Sequence, residues 1–91
     1  MAVTIRIPTQ LRALAGGASE VSVEAATVSD ALKALNDQHG GFDERLFDEK
    51  GELRRFVNVF VADEDIRFMQ GVDTPLDDGT VVSIIPAVAG G

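Results

Sequence analysis

The run Arg55-Phe56-Val57-Asn58-Val59-Phe60-Val61 constrains this chain more than any other, because three valines recur at every second position with Phe56, Asn58 and Phe60 between them. A period of two belongs to a strand, and β-branched residues suit a pleated, half-buried surface. A second such run opens the chain, where Val3, Ile5 and Ile7 alternate with Thr4 and Arg6 from Ala2 to Pro8 and should face a core. Val81-Val82-Ser83-Ile84-Ile85 reads as a buried strand. Pro86 should end it, since proline fixes φ and has no N–H to give a ladder.

The segments between these strands supply one helix. Thr27, followed three residues later by Asp30, is an acidic variant of the capping box, and Val28, Leu32, Leu35 and His39 recur on one helical face. The pattern predicts a helix from Val28 to His39, with Gly40-Gly41 closing it where a left-handed residue is usual. Before it, Leu11 to Leu14 and the Gly16-Gly17 turn lead into Glu20 to Val23, which returns as the second strand of a long-looped hairpin. After it, Phe42, Leu46 and Phe47 in the charged stretch FDERLFDEKGE have the spacing to pin one short helical turn to the body. Asp63-Glu64-Asp65 supplies a turn before a short edge strand around Ile66 to Phe68, and Asp77-Asp78-Gly79 does the same for the last strand. The order is β-β-α-β-β-β. One helix covering one face of a four- or five-stranded sheet makes a two-layer α+β domain, with the first and last strands as its central pair.

Composition narrows the chemistry. At 91 residues the chain is one small domain, and without cysteine it has neither a disulfide framework nor a thiolate metal site nor a cysteine nucleophile. A net charge of −7 argues against nucleic acid and for protein partners with a basic face, and it suits a free monomer. Met1 to Gln10 alternates instead of forming a continuous apolar stretch, so no signal peptide or membrane span is expected and the location is cytoplasmic by default.

The last residues, Ala87-Val88-Ala89-Gly90-Gly91, carry no side chain larger than a methyl beyond Val88. Two glycines allow the final peptide units to enter a channel too narrow for other residues, with the carboxylate of Gly91 in front. Residues 1–86 then form the domain and 87–91 a flexible reactive tail that needs no maturation cleavage. The competing reading is a chain end that frays without purpose.

The series Arg55 to Val61, Asp63-Glu64-Asp65-Ile66-Arg67-Phe68 and Leu76-Asp77-Asp78-Gly79-Thr80-Val81 through Ile85-Pro86-Ala87-Val88-Ala89-Gly90-Gly91 resembles the sulfur carriers of the MoaD/ThiS family over nearly the whole chain. Within it the chain is most similar to the CysO type, which serves cysteine synthesis. The resemblance implies a β-grasp, ubiquitin-like fold: a mixed sheet of four to five strands covering one main helix, with a flexible diglycine tail. It also implies a carrier with no catalytic residue, no metal and no bound cofactor. An E1-like enzyme using ATP would adenylate Gly91, sulfur would displace AMP to leave a thiocarboxylate, and an accepting enzyme such as a pyridoxal-phosphate-dependent sulfhydrylase or a thiosugar synthase would take the sulfur. Ala87, Val88, Ala89 and Gly90 would be read by the partner. Where the family usually has a glycine-containing turn after the third strand, this chain has Ala62-Asp63-Glu64-Asp65.

Ordering each tail residue inside a partner costs about 1–2 kcal/mol, so the domain must add a docking surface. Phe56, Phe60 and Ile85, on the sheet face away from the helix, are its candidates, unless Phe60 and Ile85 instead cover a secondary core under the loop from Phe42 to Glu52. Asp63, Glu64, Asp65, Asp77 and Asp78 could steer a basic partner, although turn formation accounts for them. His39 reads as a helix cap. The molybdopterin synthase small subunit is an alternative within the family. A modifier joined through Gly91 to target lysines is one outside it, and Lys33 and Lys50 are then the only lysines available for self-conjugation. A plain interaction domain is the remaining alternative.

Overall fold

The computed structural model describes residues 2–54 and 57–86; Met1, Arg55, Phe56 and residues 87–91 lie outside the described residues. Five strands, β1 (Ala2–Arg6), β2 (Glu20–Glu24), β3 (Val57–Val61), β4 (Glu64–Asp65) and β5 (Val81–Pro86), form one sheet in the order β2-β1-β5-β3-β4. The neighbours β1 and β5 run parallel and the other pairs are antiparallel. Helices α1 (Val28–Gln38) and α2 (Phe42–Leu46) complete the second layer, with 3-10 turns at Thr9–Ala15, Ile66–Phe68 and Gly71–Asp73. The first and last strands are adjacent in the middle, as the alternation of the sequence predicts. This is the β-grasp arrangement.

The core lies where the inward residues of the sheet meet the helical layer. Val3, Ile5, Ile7, Val57, Val59, Val61, Val82 and Ile84 are buried against Val28, Ala31, Leu32 and Leu35 of α1. Each such aliphatic side chain contributes about 1.5–3 kcal/mol when fully buried. β5 alternates, with Val82 and Ile84 buried but Ile85 exposed, so it is half-buried and not the strand buried on both faces that its apolar sequence suggests.

The start of α1 follows the sequence closely. Thr27 is extended and its Oγ1 accepts the N–H of Asp30 at 3.2 Å. Pairing with the later segment holds this end, since the Val28 N–H donates to the Thr74 carbonyl and the Leu76 N–H to the Ala26 carbonyl. Thr74 is fully buried, and its hydroxyl donates to the Gly71 carbonyl at 2.7 Å while accepting the Gln70 N–H.

Two local expectations are corrected. α1 stops at Gln38, and His39 caps it in an extended conformation, its N–H donating to the Leu35 carbonyl. The glycine conformation is needed one element later, at Gly41 (φ 102), which opens α2 and where a Cβ would stand 3.1 Å from Leu14 Cδ2. The short helical turn expected after it is present as α2, pinned by Phe42 and Leu46, which are completely buried in the main core. Finally, the edge strand is Glu64–Asp65 and not Ile66–Phe68. Asp65 Oδ1 accepts the Arg67 N–H at 2.9 Å and turns the chain into a 3-10 bend, which sends Ile66 into the core and leaves Phe68 in solvent.

The departure noted after β3 is a two-residue hairpin loop with a conformational cost. Val61 pairs with Glu64, and both intervening residues have positive φ, Ala62 at 50° and Asp63 at 74°. Such type I′ geometry favours glycine or asparagine. Asp63→Gly is therefore expected to stabilise the protein by about 0.5–1 kcal/mol, the gain being limited by the greater freedom of glycine in the unfolded chain. Asp63→Val should destabilise it. Thermal unfolding of both variants reads the difference, and a less stable Asp63→Gly would refute this account of the turn.

Candidate functional site

The helical layer covers one face of the sheet and leaves the other to solvent. Across this outer face the strand registers align one row through all five strands: Glu20, Arg6, Ser83, Phe60 and Asp65. At the β2–β1 end Arg6 Nε lies 3.4 Å from Glu20 Oε2, an exposed pair that adds little stability. The β5–β3 end is apolar. Phe60 is half-buried, Ile85 is 47% exposed, and neither belongs to the core cluster.

Phe60 faces Ser83, and Ile85 faces Asn58, so Phe60 and Ile85 are diagonal neighbours, typically about 7–8 Å apart. The structure thus brings together these two predicted docking residues. It does not place them over a second core beneath the loop from Phe42 to Glu52, because Phe42 and Leu46 belong to the single main core on the opposite face. Phe56, the third candidate, lies outside the described residues, as do Ala87, Val88, Ala89, Gly90 and Gly91.

The register also separates the acidic residues from the point where β5 ends. Val57 pairs with Pro86 and Val61 with Val82, so the turn at Ala62 and Asp63 sits beside the beginning of β5. Asp77 and Asp78 precede that same beginning. There Asp78 Oδ1 accepts the Ala2 N–H at 2.8 Å, and the Gly79 N–H donates to the Ala2 carbonyl at 2.7 Å. These groups fasten strand ends at the pole away from Pro86. Only Asp65, opposite Phe60, adjoins the apolar pair.

His39 is half-buried at the end of α1, in the other layer. Among the described residues no three His, Cys, Asp or Glu converge on a metal position, and no helix is long and apolar enough to cross a membrane. Sequence reasoning did not single out Arg12. It lies in the 3-10 turn Thr9–Ala15 and points its Nε–H at the Ile7 carbonyl, 3.1 Å away. Nothing in the stretch LRALA signals that contact, which depends on how the turn folds back against β1.

A mixed sheet grasping one helix, with an apolar patch beside the end of its central strand, defines the ubiquitin-like class of small carrier and modifier proteins. The chain belongs to the ThiS family, whose model matches residues 5–91. It is 46% identical over 93 residues to the sulfur carrier protein CysO of Mycobacterium tuberculosis, with the whole of both chains covered. A chain in the crystal structure of the Amycolatopsis orientalis BexX/CysO complex superposes with a TM-score of 0.91 at 44% identity, over 98% of this chain and 99% of that one. The small archaeal modifier protein 3 of Haloferax volcanii is 42% identical over 66 residues, which is 72% of this chain and 71% of the relative.

The outer position of Phe60 and Ile85 has a direct consequence for stability. Phe60→Arg and Ile85→Arg should leave a folded protein, each changing unfolding free energy by about 1 kcal/mol or less, whereas Val59→Arg on the inner face should unfold it. Circular dichroism with thermal unfolding distinguishes the two faces. An unfolded Phe60→Arg variant would place that ring in a core.

Proposed function

We propose that this chain is a sulfur carrier that works through a thiocarboxylate on Gly91. The observation that carries the reading is full-length similarity, at 46% identity, to a sulfur carrier protein, together with the Gly90-Gly91 pair at the residues where the reading needs it. A carboxylate oxygen is a poor leaving group, so sulfur cannot replace it directly. In the proposed cycle a Gly91 carboxylate oxygen attacks the α-phosphate of ATP on a partner enzyme, releasing pyrophosphate and forming an acyl adenylate. Sulfide then adds to the acyl carbon and expels AMP, leaving sulfur on the backbone terminus. The chemistry requires no thiol side chain, in keeping with a chain that has no cysteine.

The domain's part in this cycle is recognition. Ala87, Val88, Ala89 and Gly90 enter the partner's channel, and Phe60 and Ile85, with Phe56, supply the docking energy that offsets the ordering of those residues. The ATP belongs to the activating enzyme, and a second, sulfur-accepting enzyme of cysteine or thiosugar synthesis completes the transfer in the cytoplasm. A second reading, a modifier joined through Gly91 to lysines of other proteins, is favoured by the similarity to a small archaeal modifier protein.

Incubation with the host's activating enzyme, ATP and sulfide should exchange one oxygen of Gly91 for sulfur, as mapped by intact-mass and fragment spectra. Gly90→Val, which puts a β-branched side chain one residue from the reacting carbon, should reduce charging at least tenfold with unchanged thermal stability. A chain that stays unmodified, or is modified at an internal residue, refutes the carrier reading. Higher-mass isopeptide adducts without thiocarboxylate would support the modifier instead.

A further inference from the structure

The net charge of −7 conceals an uneven distribution. A groove of about 430 Å³ runs between the 3-10 turn Thr9–Ala15 and the C-terminal end of β5, and its walls include Arg6, Pro8, Arg12, Ser83 and Ile85 but no Asp or Glu among the described residues. The hollows on the helical side differ. One is lined by Asp48, Glu49 and Glu52 with Lys50 and Arg54, and another by Asp43, Asp48 and Glu49 with Lys33. Among the described residues no carboxylate lines this groove beside the exposed Ile85, in a chain with 15 acidic and 8 basic residues, although Asp63 lines the next hollow, which shares Arg6 and Ser83 with it.

Arg12 is held in this groove in a defined way. Its Nε–H donates to the Ile7 carbonyl at 3.1 Å, and its terminal N–H groups neither donate a hydrogen bond to nor form an ion pair with the described residues. Anchoring through Nε fixes the plane of the guanidinium, and a planar fork whose outer donors remain open is suited to a carboxylate. Arg6, the neighbouring cation, has only the long exposed pair with Glu20. Ile85, in the same groove, is a diagonal neighbour of Phe60, so charge and apolar surface adjoin.

Distance decides which charge a partner meets here. From Val82, beside the acidic turns, to Pro86 is roughly 13 Å along an extended strand. That exceeds the Debye length of about 8 Å at physiological ionic strength. Nearer the groove, Asp63 shares a hollow with Arg6 and Ser83, and Glu20 pairs with Arg6, so Arg12 is the cation that sets the local sign.

We propose that Arg12, with Arg6 beside it, receives an acidic side chain of the enzyme that charges the C-terminal glycine, so that the partner surface fitting this groove pairs a carboxylate with an apolar contact for Phe60 and Ile85. This rests on the carrier reading and adds the chemistry of the partner. It reverses, for this face, the basic partner that net charge suggests.

Two measurements test it. The first is ATP–pyrophosphate exchange by the activating enzyme with the full chain as substrate. Arg12→Ala should raise the KM for the carrier about tenfold with kcat little changed, Arg12→Glu should raise it further, and Arg12→Lys should recover part of the loss. Thermal unfolding confirms that the variants are folded. An unchanged KM in the Ala and Glu variants overturns the proposal while leaving the carrier reading intact.

If no activating enzyme charges the wild-type chain, the carrier reading fails on its own, and the second measurement still decides the groove. Acetyl-Leu-Glu-Leu-amide titrated into the free labelled chain should give saturable NMR shifts at the Arg12 Nε–H and the Ile7 and Ile85 amides. Arg12→Ala should abolish them. Absence of those shifts overturns the proposal. So does movement of the Arg12 resonance on deleting Gly91 from the free chain, because the groove would then hold the chain's own carboxylate.

Discussion

The parallel pairing of β1 with β5 is the interaction on which the rest of the structure depends. It joins Thr4 to Val81, Ile5 to Val82 and Arg6 to Ser83, residues from the two ends of the sequence, and it is fastened at its start by the Ala2 contacts to Asp78 and Gly79. Parallel strands cannot be joined by a tight turn, so everything between them is a crossover that must pack back on the sheet. Ile5 and Val82 are fully buried at this junction. Loss of the pair would open the core and separate β2 from β3.

This pairing also fixes the point from which the chain continues beyond β5. β5 is held by β1 on one side and β3 on the other, and its last residue, Pro86, still pairs with Val57. A short segment leaving a strand secured on both sides has a fixed origin, which restricts the directions in which a partner must search. The outer face beside that origin carries the exposed Ile85, the half-buried Phe60 and the arginine groove, while Asp63, Asp77 and Asp78 lie at the opposite pole. Apolar contact and charge are thus arranged around the end of β5 instead of being spread over the sheet.

The helical layer has a different task. α1 covers the inner sheet face, and α2 with its flanking loop extends that cover through Phe42 and Leu46. The Arg54 side chain ties this loop by donating from Nε and NH2 to the Glu44 carbonyl, at 3.2 and 3.0 Å. The stretch from Phe42 to Glu52 therefore completes the core, and its charged residues form the solvent side of a packed element. His39 shares that layer and closes α1, as a helix-terminal histidine is expected to.

By itself the sequence determined the features that follow from local periodicity: valine at alternate positions placed β3, alternation of Val3, Ile5 and Ile7 placed β1 and its inward face, and Thr27 with Asp30 placed the start of α1. Family resemblance carried in RFVN, DEDIRF and the terminal glycines extended this to the fold. Tertiary structure alone decided the rest. Ile66 leaves the sheet because core burial and the Asp65 cap outweigh its strand preference, and glycine is required at 41 both by its positive φ and because Leu14, distant in sequence, crowds the space of a Cβ. The groove at Arg12 exists only because β5 lies beside β1 and the Thr9–Ala15 turn folds over their ends. Periodicity reports which way a side chain faces within its own element, whereas charge sign at a surface depends on which distant elements are brought together there.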